Sequence, residues 1–295
     1  MEKVLEVNQL SKSYGNILAI KNLSFTVNRG EVYGLLGPNG SGKTTTLAVI
    51  LDILKANIGN YRWFDQPMDK FTRRRIGSLL ETPNFYPYLS LWDNLKIVAK
   101  IKDVPEDDIN DALGVTNLLK RKYSAYNTLS LGMKQRLAIA SVLVGNPEVL
   151  VLDEPTNGLD PEGFAEVRNI IQSQANEGKT IILASHILDE VEKVCSHVAI
   201  LKAGDLIAHG RVGELLATDD MVYIQSDNLD KLEQMLKQAD FVKRVLKADK
   251  DLAVILEQGN SVAGLNKYCF EKGFILSKIL LKKQSLEDQF LQLVK

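Results

Sequence analysis

A glycine-rich octapeptide at residues 37–44 constrains the fold of this 295-residue chain more than any other feature of its sequence. It reads Gly-Pro-Asn-Gly-Ser-Gly-Lys-Thr and matches the pattern G-x-x-x-x-G-K-[ST] at every fixed position. The apolar run Val32 to Leu36 before it predicts a short buried strand, and the pattern from Thr44 to Leu54 predicts a helix. Strand, glycine loop and helix in this order open an α/β unit.

The residues of this loop suit an anionic ligand. Glycines let the backbone curl so that successive N–H groups point inward, and the helix that follows adds its positive end. Lys43 can reach the β- and γ-phosphates of a nucleoside triphosphate, and the Thr44 hydroxyl is a ligand for Mg²⁺. An incidental glycine-rich turn is the alternative, which the complete pattern disfavours. The residues expected to contact the nucleotide are Gly37, Asn39, Gly40, Ser41, Gly42, Lys43, Thr44 and Thr45.

Composition places the chain among globular proteins, with 45% hydrophobic and 25% charged residues. Lys and Arg total 36 against 37 for Asp and Glu, so there is no global basic field for nucleic acid. The two cysteines, Cys195 and Cys269, are too few for a disulfide scaffold or a four-ligand zinc site. The first six residues lack the apolar core of a secretory signal, and no run approaches the roughly 18 apolar residues of a membrane span. Any link to a membrane is expected through a partner.

Two adjacent carboxylates follow a second buried strand. The apolar run Val149 to Leu152 suits a parallel strand that is covered on both faces, and Asp153 and Glu154 come directly after it. The carboxyl end of such a strand lies beside the phosphate loop. There Asp153 can hold Mg²⁺, and Glu154 can accept a proton from an attacking water. A chance acidic pair is the alternative, which becomes minor beside a complete phosphate loop.

One histidine also follows a predicted strand. His186 comes just after Thr180 to Ala184, where it can hydrogen-bond a γ-phosphate oxygen or orient the attacking water. Its position alone favours the alternative of a capping residue. His197 and His209 have no such setting and are interpreted as surface or packing residues.

The remaining pattern predicts the domain organisation. The segment from about residue 89 to 146 is mostly helical in pattern. The pattern of predicted strands and helices changes near Thr218. The elements that follow have the order of a split β-α-β, ferredoxin-like module, and the last helix ends at Leu293. We therefore predict an α/β P-loop domain with a mixed sheet core over residues 1–218, including the helical subdomain at about 89–146. A small α+β domain is predicted over 219–295.

In their order along the chain, these motifs resemble the nucleotide-binding subunit of an ABC transporter, over about residues 2–215. The segment Leu129 to Leu137, Leu-Ser-Leu-Gly-Met-Lys-Gln-Arg-Leu, is similar to the family signature that opens a helix. The resemblance implies that Ser130 and Gly132 contact the γ-phosphate of ATP held by a partner subunit. A hydroxyl and an exposed N–H at a helix N-terminus suit an anion, although Ser130 alone would be interpreted as an N-cap.

The resemblance implies roles for three further residues. Glu154 to Asp160 is similar to the segment that joins the catalytic acid to the D-loop, so Asp160 is expected to communicate between the two sites of a dimer. His186 matches the switch histidine of the family, which favours a catalytic role. Tyr14 matches the aromatic residue that stacks on adenine, with packing on the sheet as the alternative.

Two departures from the family pattern stand out. Glu81 occupies a position where Gln is usual, and its carboxylate offers oxygens to Mg²⁺ while adding negative charge near the phosphates. The signature carries Leu131 and Met133 in place of the commoner Gly and Gln. Both departures, and the C-terminal segment Ser285 to Leu291, resemble the exporters of the bacitracin-resistance and lantibiotic-immunity type.

The resemblance implies an ATPase that uses ATP and Mg²⁺ and works as a head-to-tail homodimer. Such a subunit drives a separate integral membrane subunit, so we expect a cytoplasmic protein, peripheral on the inner face of the cell membrane, that powers export of a drug, peptide or lipid-like substrate. The aromatic-rich segment from Thr82 to Asn94 is the candidate docking surface, with packing inside the helical subdomain as an equal alternative. No nucleic-acid partner is expected.

Two other P-loop classes compete with this interpretation. Soluble ABC-type ATPases that act on DNA or ribosomes usually carry two nucleotide domains or a long coiled coil, and the near-neutral charge gives no basic stripe. A GTPase needs the motif Asn-Lys-x-Asp, and Asn266 to Cys269 fails at its last position. The C-terminal domain has no catalytic constellation, so dimerisation or regulation is its expected role.

Overall fold

The computed structural model describes residues 2–81, 84–215, 221–248, 250–257 and 259–282. Within these ranges the strands are β1 (Lys3–Tyr14), β2 (Ile17–Asn28), β3 (Val32–Leu36), β4 (Ile58–Trp63), β5 (Ile76–Leu79), β6 (Val149–Asp153), β7 (Thr180–Ser185), β8 (His197–Lys202), β9 (Asp205–Arg211), β10 (Met221–Gln225), β11 (Val242–Ala248), β12 (Asp251–Leu256) and β13 (Lys278–Lys282). The helices are α1 (Lys43–Ile50), α2 (Lys70–Arg74), α3 (Leu91–Lys102), α4 (Asp108–Val115), α5 (Leu131–Leu143), α6 (Pro161–Asn176), α7 (Leu188–Val194), α8 (Val212–Leu215), α9 (Leu229–Leu236) and α10 (Val262–Glu271).

The chain divides into two compact units between Val212 and Gly213. The boundary predicted at 218/219 falls in residues 216–220, which lie outside the described ranges, so that boundary stays a prediction. No helix in the described ranges is both long enough and apolar enough to cross a bilayer.

A six-stranded mixed sheet forms the centre of the first unit, in the order β5-β6-β7-β3-β8-β9. The first five strands are parallel and β9 runs antiparallel to β8. Every residue of β3, β6 and β7 is buried, as their continuous apolar sequences require when both sheet faces are covered. Because β6, β7 and β3 are neighbours, the residues that follow them meet at one edge of the sheet.

A three-stranded antiparallel sheet, in the order β2-β1-β4, shares an apolar core with the central sheet. The rings of Phe25 and Tyr33 stack across this core at a centroid distance of 5.4 Å. The indole of Trp63 donates a hydrogen bond of 2.7 Å to the carbonyl of Ile50, the last residue of α1. This bond ties the helix that follows the phosphate loop to the second sheet.

Three helices, α3, α4 and α5, pack together within the region predicted as a helical subdomain. The C-terminus of α5 is capped by a lysine from α3. Lys102 Nζ donates hydrogen bonds of 3.0, 3.0 and 2.8 Å to the carbonyls of Ser141, Val142 and Val144. A cation suits the negative end of a helix, and burial lowers the pKa of Lys102 to about 8. The far end of the signature helix is therefore fixed to α3.

The second unit has a four-stranded antiparallel sheet in the order β11-β12-β10-β13. Along the chain its elements alternate as strand, helix, two strands, helix and strand, which with this sheet order is a ferredoxin-like module. Both helices contribute to its core, through Leu232 and Leu236 of α9 and Leu265 and Cys269 of α10. The predicted last helix and the Ser285 to Leu291 segment lie outside the described residues.

Candidate nucleotide-binding site

The phosphate loop joins β3 to α1 and depends on glycine at two close contacts. Gly37 and Gly42 have φ angles of 156° and 106°, in the region that side chains disfavour. A Cβ on Gly42 would lie 2.5 Å from the carbonyl oxygen of Ala19, and one on Gly37 would clash with the carbonyl of Leu201. The hydroxyl of Ser41 is buried in the loop with no hydrogen-bond partner. Such an unpaired polar atom suits a ligand with oxygen acceptors.

Lys43 is the first residue of α1 and points back into the loop. Its Nζ donates hydrogen bonds of 2.8 Å to the carbonyl of Gly37 and 3.3 Å to that of Pro38. The same ammonium lies 3.3 Å from Glu154 Oε1, and only 5% of its side chain is exposed. The charge predicted to bind phosphate is therefore placed in the loop and paired with the predicted catalytic acid.

Asp153 ends β6 beside Thr44, as the metal prediction requires. The Thr44 hydroxyl lies close enough to the Asp153 carboxylate to lower its pKa, while Asp153 Oδ1 is buried without a partner. Burial is the largest cause that raises the pKa of Asp153, and the charges of Glu154 and Glu81 raise it further against the lowering effects of Thr44 and Lys43. A buried carboxylate oxygen beside a hydroxyl fits a small divalent cation.

The described residues contain no cluster of three or more His, Cys, Asp or Glu side chains that could enclose a metal ion. Mg²⁺ keeps several waters and binds through one or two protein oxygens together with substrate phosphates, so Thr44 and Asp153 are the protein oxygens that would fit it. Glu81, the third predicted metal ligand, is exposed and has a φ of 57°, a conformation that non-glycine residues rarely adopt. Its charge acts on Asp153, but it does not complete a closed metal cage.

Glu154 and His186 meet at the carboxyl ends of β6 and β7. Glu154 Oε2 lies 2.8 Å from His186 Nδ1, while its other oxygen faces Lys43. The Glu154 amide donates a hydrogen bond of 3.0 Å to the carbonyl of Ala184, and its φ is 46°. A left-handed glutamate at this point is strained backbone of the kind found at functional sites. The structure thus brings together the two residues predicted as catalytic.

The predicted signature residues lie on another surface of the first unit. Ser130 is the N-cap of α5 and accepts a hydrogen bond of 3.3 Å from the Met133 amide, and Asp160 caps α6 through the Gly163 amide at 2.9 Å. Both start a helix at the rim of a groove of about 450 Å³. Its lining residues are Ser130, Leu131, Gly132, Met133, Arg136, Gly158, Leu159, Asp160, Glu162, Gly163 and Glu166. None of residues 37–45, all of which the structure describes, lines this groove.

The remaining predicted ligands lie where a nucleotide can reach them. Tyr14 ends β1 with 47% of its surface exposed, and Lys12 Nζ lies 5.5 Å from its ring centroid. Asn39 and Gly40 are exposed at the tip of the loop, and Thr45 is half-buried on α1. The ring of Tyr14 is therefore open for stacking rather than packed on the sheet.

Two contacts of this site were not predicted from the sequence. The pairing of Lys43 with Glu154 has no local signal, since the two residues are far apart in the chain and each matches a motif with another role. Lys12 beside Tyr14 was likewise missed, although a cation two residues before a predicted stacking aromatic would be a detectable pattern.

The predicted docking segment is packed at some of its aromatic residues and exposed at others. Tyr86 and Tyr88 are 47% and 73% exposed, whereas Phe85 packs on Tyr126 at a centroid distance of 5.3 Å. Trp92 is half-buried beneath Lys122. Thr82 lies outside the described residues. The exposed tyrosines are thus held on a base of packed aromatic residues.

Comparisons with known proteins agree on one family. A family model described as "ABC transporter" matches residues 20–157. The chain is 36% identical to the bacitracin transport ATP-binding protein BcrA of Bacillus licheniformis, covering 100% of this chain and 98% of that protein. It is 38% identical to the lantibiotic transport ATP-binding protein SrtF of Streptococcus pyogenes, covering 78% of this chain and 95% of SrtF.

Solved structures give the same result. CbiO1 of Clostridium perfringens, part of the ABC transporter complex cbiONQ, superposes with a TM-score of 0.67 at 34% identity, covering 74% of this chain and 92% of CbiO1. A bacterial ABC transporter cassette solved as a dimer superposes with a TM-score of 0.63 at 25% identity, covering 70% of this chain and 98% of the cassette.

Proposed function

This chain belongs to the ATP-binding subunits of ABC transporters, a family of ATPases, and we propose that two copies of it form a head-to-tail dimer that drives a separate membrane subunit. The proposed activity is ATP-powered export of a drug, peptide or lipid-like substrate from the inner face of the cell membrane. One observation carries the proposal: Lys43, Asp153, Glu154 and His186 converge at one edge of the central sheet.

The chemistry follows from that convergence. The phosphate loop and Lys43 bind the phosphates of ATP, and Thr44 and Asp153 would hold the Mg²⁺ whose charge stabilises the transferring phosphoryl group. When Lys43 turns to phosphate oxygens, it releases Glu154 Oε1, which can then accept a proton from the attacking water. His186, bound to the other oxygen, keeps the carboxylate in orientation. Tyr14 stacks on the adenine.

The groove beside Ser130 supports the dimer. A serine hydroxyl and the N–H groups at the start of α5 can bind an anion, but no Lys or Arg of the phosphate loop lines this groove. The anion would be the γ-phosphate of ATP bound by the phosphate loop of a second copy, with Asp160 at the same rim linking the two sites. The dimeric cassette among the structural neighbours supports this arrangement.

The transport role is supported by the relatives and by one surface. BcrA and SrtF are named for bacitracin and lantibiotic transport, which favours an exported peptide antibiotic or a similar molecule. Tyr86 and Tyr88 present exposed aromatic rings on the helical part of the unit, where they can bind an integral membrane subunit.

A glutamine variant tests the ATPase part of the proposal. Glu154→Gln keeps the shape of the side chain but cannot accept a proton, so we expect ATP binding to be retained, turnover to fall by at least about 100-fold and an ATP-bound dimer to accumulate. Equilibrium binding of ATP, phosphate release and size-exclusion chromatography measure the three effects. Glu177→Gln, a change at the far end of α6, is the matched control. Full turnover in Glu154→Gln would remove that residue from its role.

Capture of a partner tests the transport part. The tagged chain, purified from detergent-solubilised membranes of its own cells, is expected to retain an integral membrane protein, and Tyr86→Ala with Tyr88→Ala is expected to lose it. Ile53→Ala, another exposed apolar side chain, is the control. Retention of ribosomes or DNA without any membrane protein would overturn the transport role and favour a soluble ATPase.

A further inference from the structure

The exposed tyrosines belong to a short ribbon that leads to the signature serine. We call residues 85–92 the aromatic loop and residues 122–129 the strap. Four backbone hydrogen bonds of 2.8 to 3.1 Å join them: Trp92 N to Lys122 O, Leu91 N to Ser124 O, Tyr126 N to Leu89 O, and Asn127 N to Pro87 O. Because backbone hydrogen bonds join the aromatic loop to the strap, this connection is stiffer than one made through long exposed side chains.

The strap ends directly at Ser130. Leu129 donates a backbone hydrogen bond of 3.1 Å to the carbonyl of Tyr126, and Ser130 follows as the N-cap of α5. The ring of Tyr126 contacts both the aromatic loop and α5. Its centroid lies 5.3 Å from that of Phe85 and 5.2 Å from Nζ of Lys134 on α5. A shift of the aromatic loop therefore has a contiguous route to the start of the signature helix.

One buried side chain holds the aromatic loop in shape. Asn94 is 2% exposed, and its Oδ1 accepts a hydrogen bond of 2.8 Å from the Tyr86 amide. Its Nδ2 donates to the carbonyls of Tyr86 at 3.1 Å and Ser90 at 2.9 Å. These bonds satisfy backbone groups on both sides of the exposed Tyr88. Removing the carboxamide takes this partner from the Tyr86 amide, whereas the carbonyls of Tyr86 and Ser90 keep backbone donors at Leu89 and Asn94. The aromatic loop thereby loses its side-chain tie to α3, and an amide without its acceptor is costly.

We infer that Asn94 is a positioning residue for partner-stimulated ATP hydrolysis. It fixes the aromatic loop on the strap, so that Tyr86, Tyr88 and Ser130 move as one body when a membrane partner binds. Asn94 touches neither the phosphate loop nor Glu154, and Ser130 keeps its cap on the Met133 amide without it, so we expect partner-free hydrolysis to be nearly unchanged when the Asn94 carboxamide is lost. The inference rests on the proposed function, because it needs both the docking surface and the role of Ser130.

The test compares partner-free and partner-stimulated turnover. Proteoliposomes contain the integral membrane protein captured with the wild-type chain, and ATPase is measured over a range of added chain concentrations. For Asn94→Leu we expect partner-free kcat within about twofold of wild type, and stimulation at saturating chain concentration reduced at least about fivefold. Thr116→Val is the matched control, since Thr116 is equally buried in the same subdomain and its hydroxyl donates only within its own helix.

A second variant covers the case in which Asn94→Leu fails to fold. Asn94→Asp keeps an acceptor for the Tyr86 amide and loses the donors, so we expect an intermediate loss of stimulation. Stimulation equal to that of Thr116→Val in both variants would overturn the inference while leaving the proposed function intact. So would full stimulated kcat with only a weaker affinity, or an equal loss of partner-free turnover. A wild-type chain that neither retains a membrane protein nor hydrolyses ATP would overturn the proposed function itself.

Discussion

The phosphate-loop edge and the signature groove of the first unit differ in how their polar groups are used. At the edge, Lys43 and Glu154 are paired with each other, and Ser41 and Asp153 each carry a buried unpaired oxygen. In the groove, Ser130 and Asp160 already cap their own helices, and the neighbouring Leu131 is 56% exposed. The edge can bind a charged ligand alone, whereas the groove offers a weak anion site next to apolar surface. We therefore expect affinity to depend on the edge, and assembly on the groove.

The largest effect is expected at the edge. Lys43→Ala removes the charge that can bind the β- and γ-phosphates, and charge-assisted hydrogen bonds of about 1.5–3 kcal/mol each predict at least a 100-fold loss of ATP affinity. Isothermal titration with ATP measures this loss, and Lys70→Ala on α2 is the control. An unchanged ATP affinity in Lys43→Ala would contradict the assignment of the phosphate site. The contrast between the edge and the groove would then have no basis.

A smaller effect of a different kind is expected in the groove. Ser130→Ala should leave ATP affinity within about twofold but lower turnover by roughly 10-fold, the loss of one hydrogen bond to a charged group. The dimer trapped by Glu154→Gln should also weaken. Ser261→Ala is the control because Ser261 caps α10 with the same geometry, at 3.1 Å from the Gly264 amide. If Ser130→Ala instead lost ATP affinity and kept its turnover, the groove rather than the phosphate-loop edge would determine ATP affinity.

Glu81 tests whether the edge has a second acidic metal ligand. Glu81→Gln retains the shape and removes the charge, so we expect a roughly 3-fold higher Mg²⁺ concentration at half-maximal ATPase, with the maximal rate nearly unchanged. The Mg²⁺ dependence of phosphate release provides the measurement, with Glu177→Gln alongside. A lower Mg²⁺ requirement in the variant would show that Glu81 competes with the metal site rather than serving it.

The last prediction concerns stability rather than activity, at the far end of the signature helix. Burial lowers the pKa of Lys102 from 10.5 to about 8, so between these values the unfolded chain binds the proton more tightly than the folded one. The free energy of unfolding of the wild type, relative to Lys102→Met, should rise with pH from about 8 to 10.5 by at most about 3 kcal/mol. Urea unfolding of both proteins at several pH values checks this. A pH-independent difference would mean that the ammonium is not buried at the end of α5.

The central sheet could be predicted because its buried strands have continuous apolar sequences. The full length of β1 could not be predicted, since Lys12 and Ser13 are polar residues beyond its apolar alternation. They continue the strand because the Ser13 amide bonds Asn57 Oδ1, a contact from outside the hairpin. β4 was not predicted, since it begins with Ile58 and Gly59 and lacks a regular apolar alternation.

The candidate site was predictable where a motif determines chemistry. The phosphate loop and Asp153 follow from residue type and from the strands that precede them, whereas the role expected of His186 rests on the family resemblance. The internal pairing of Lys43 with Glu154 could not be predicted, because no motif states which side chain a lysine contacts before its ligand arrives.

That internal pairing of Lys43 with Glu154 raises the cost of binding a small anion in the loop. A small monovalent or divalent anion entering the loop must separate Lys43 from Glu154 and gains only part of the lost attraction in return. A triphosphate can contact Lys43 and the N–H groups of the loop with several oxygens at once, which compensates for the lost ion pair and frees Glu154, the proposed base. If the proposed function holds, inorganic phosphate is therefore expected to compete poorly with ATP for Lys43.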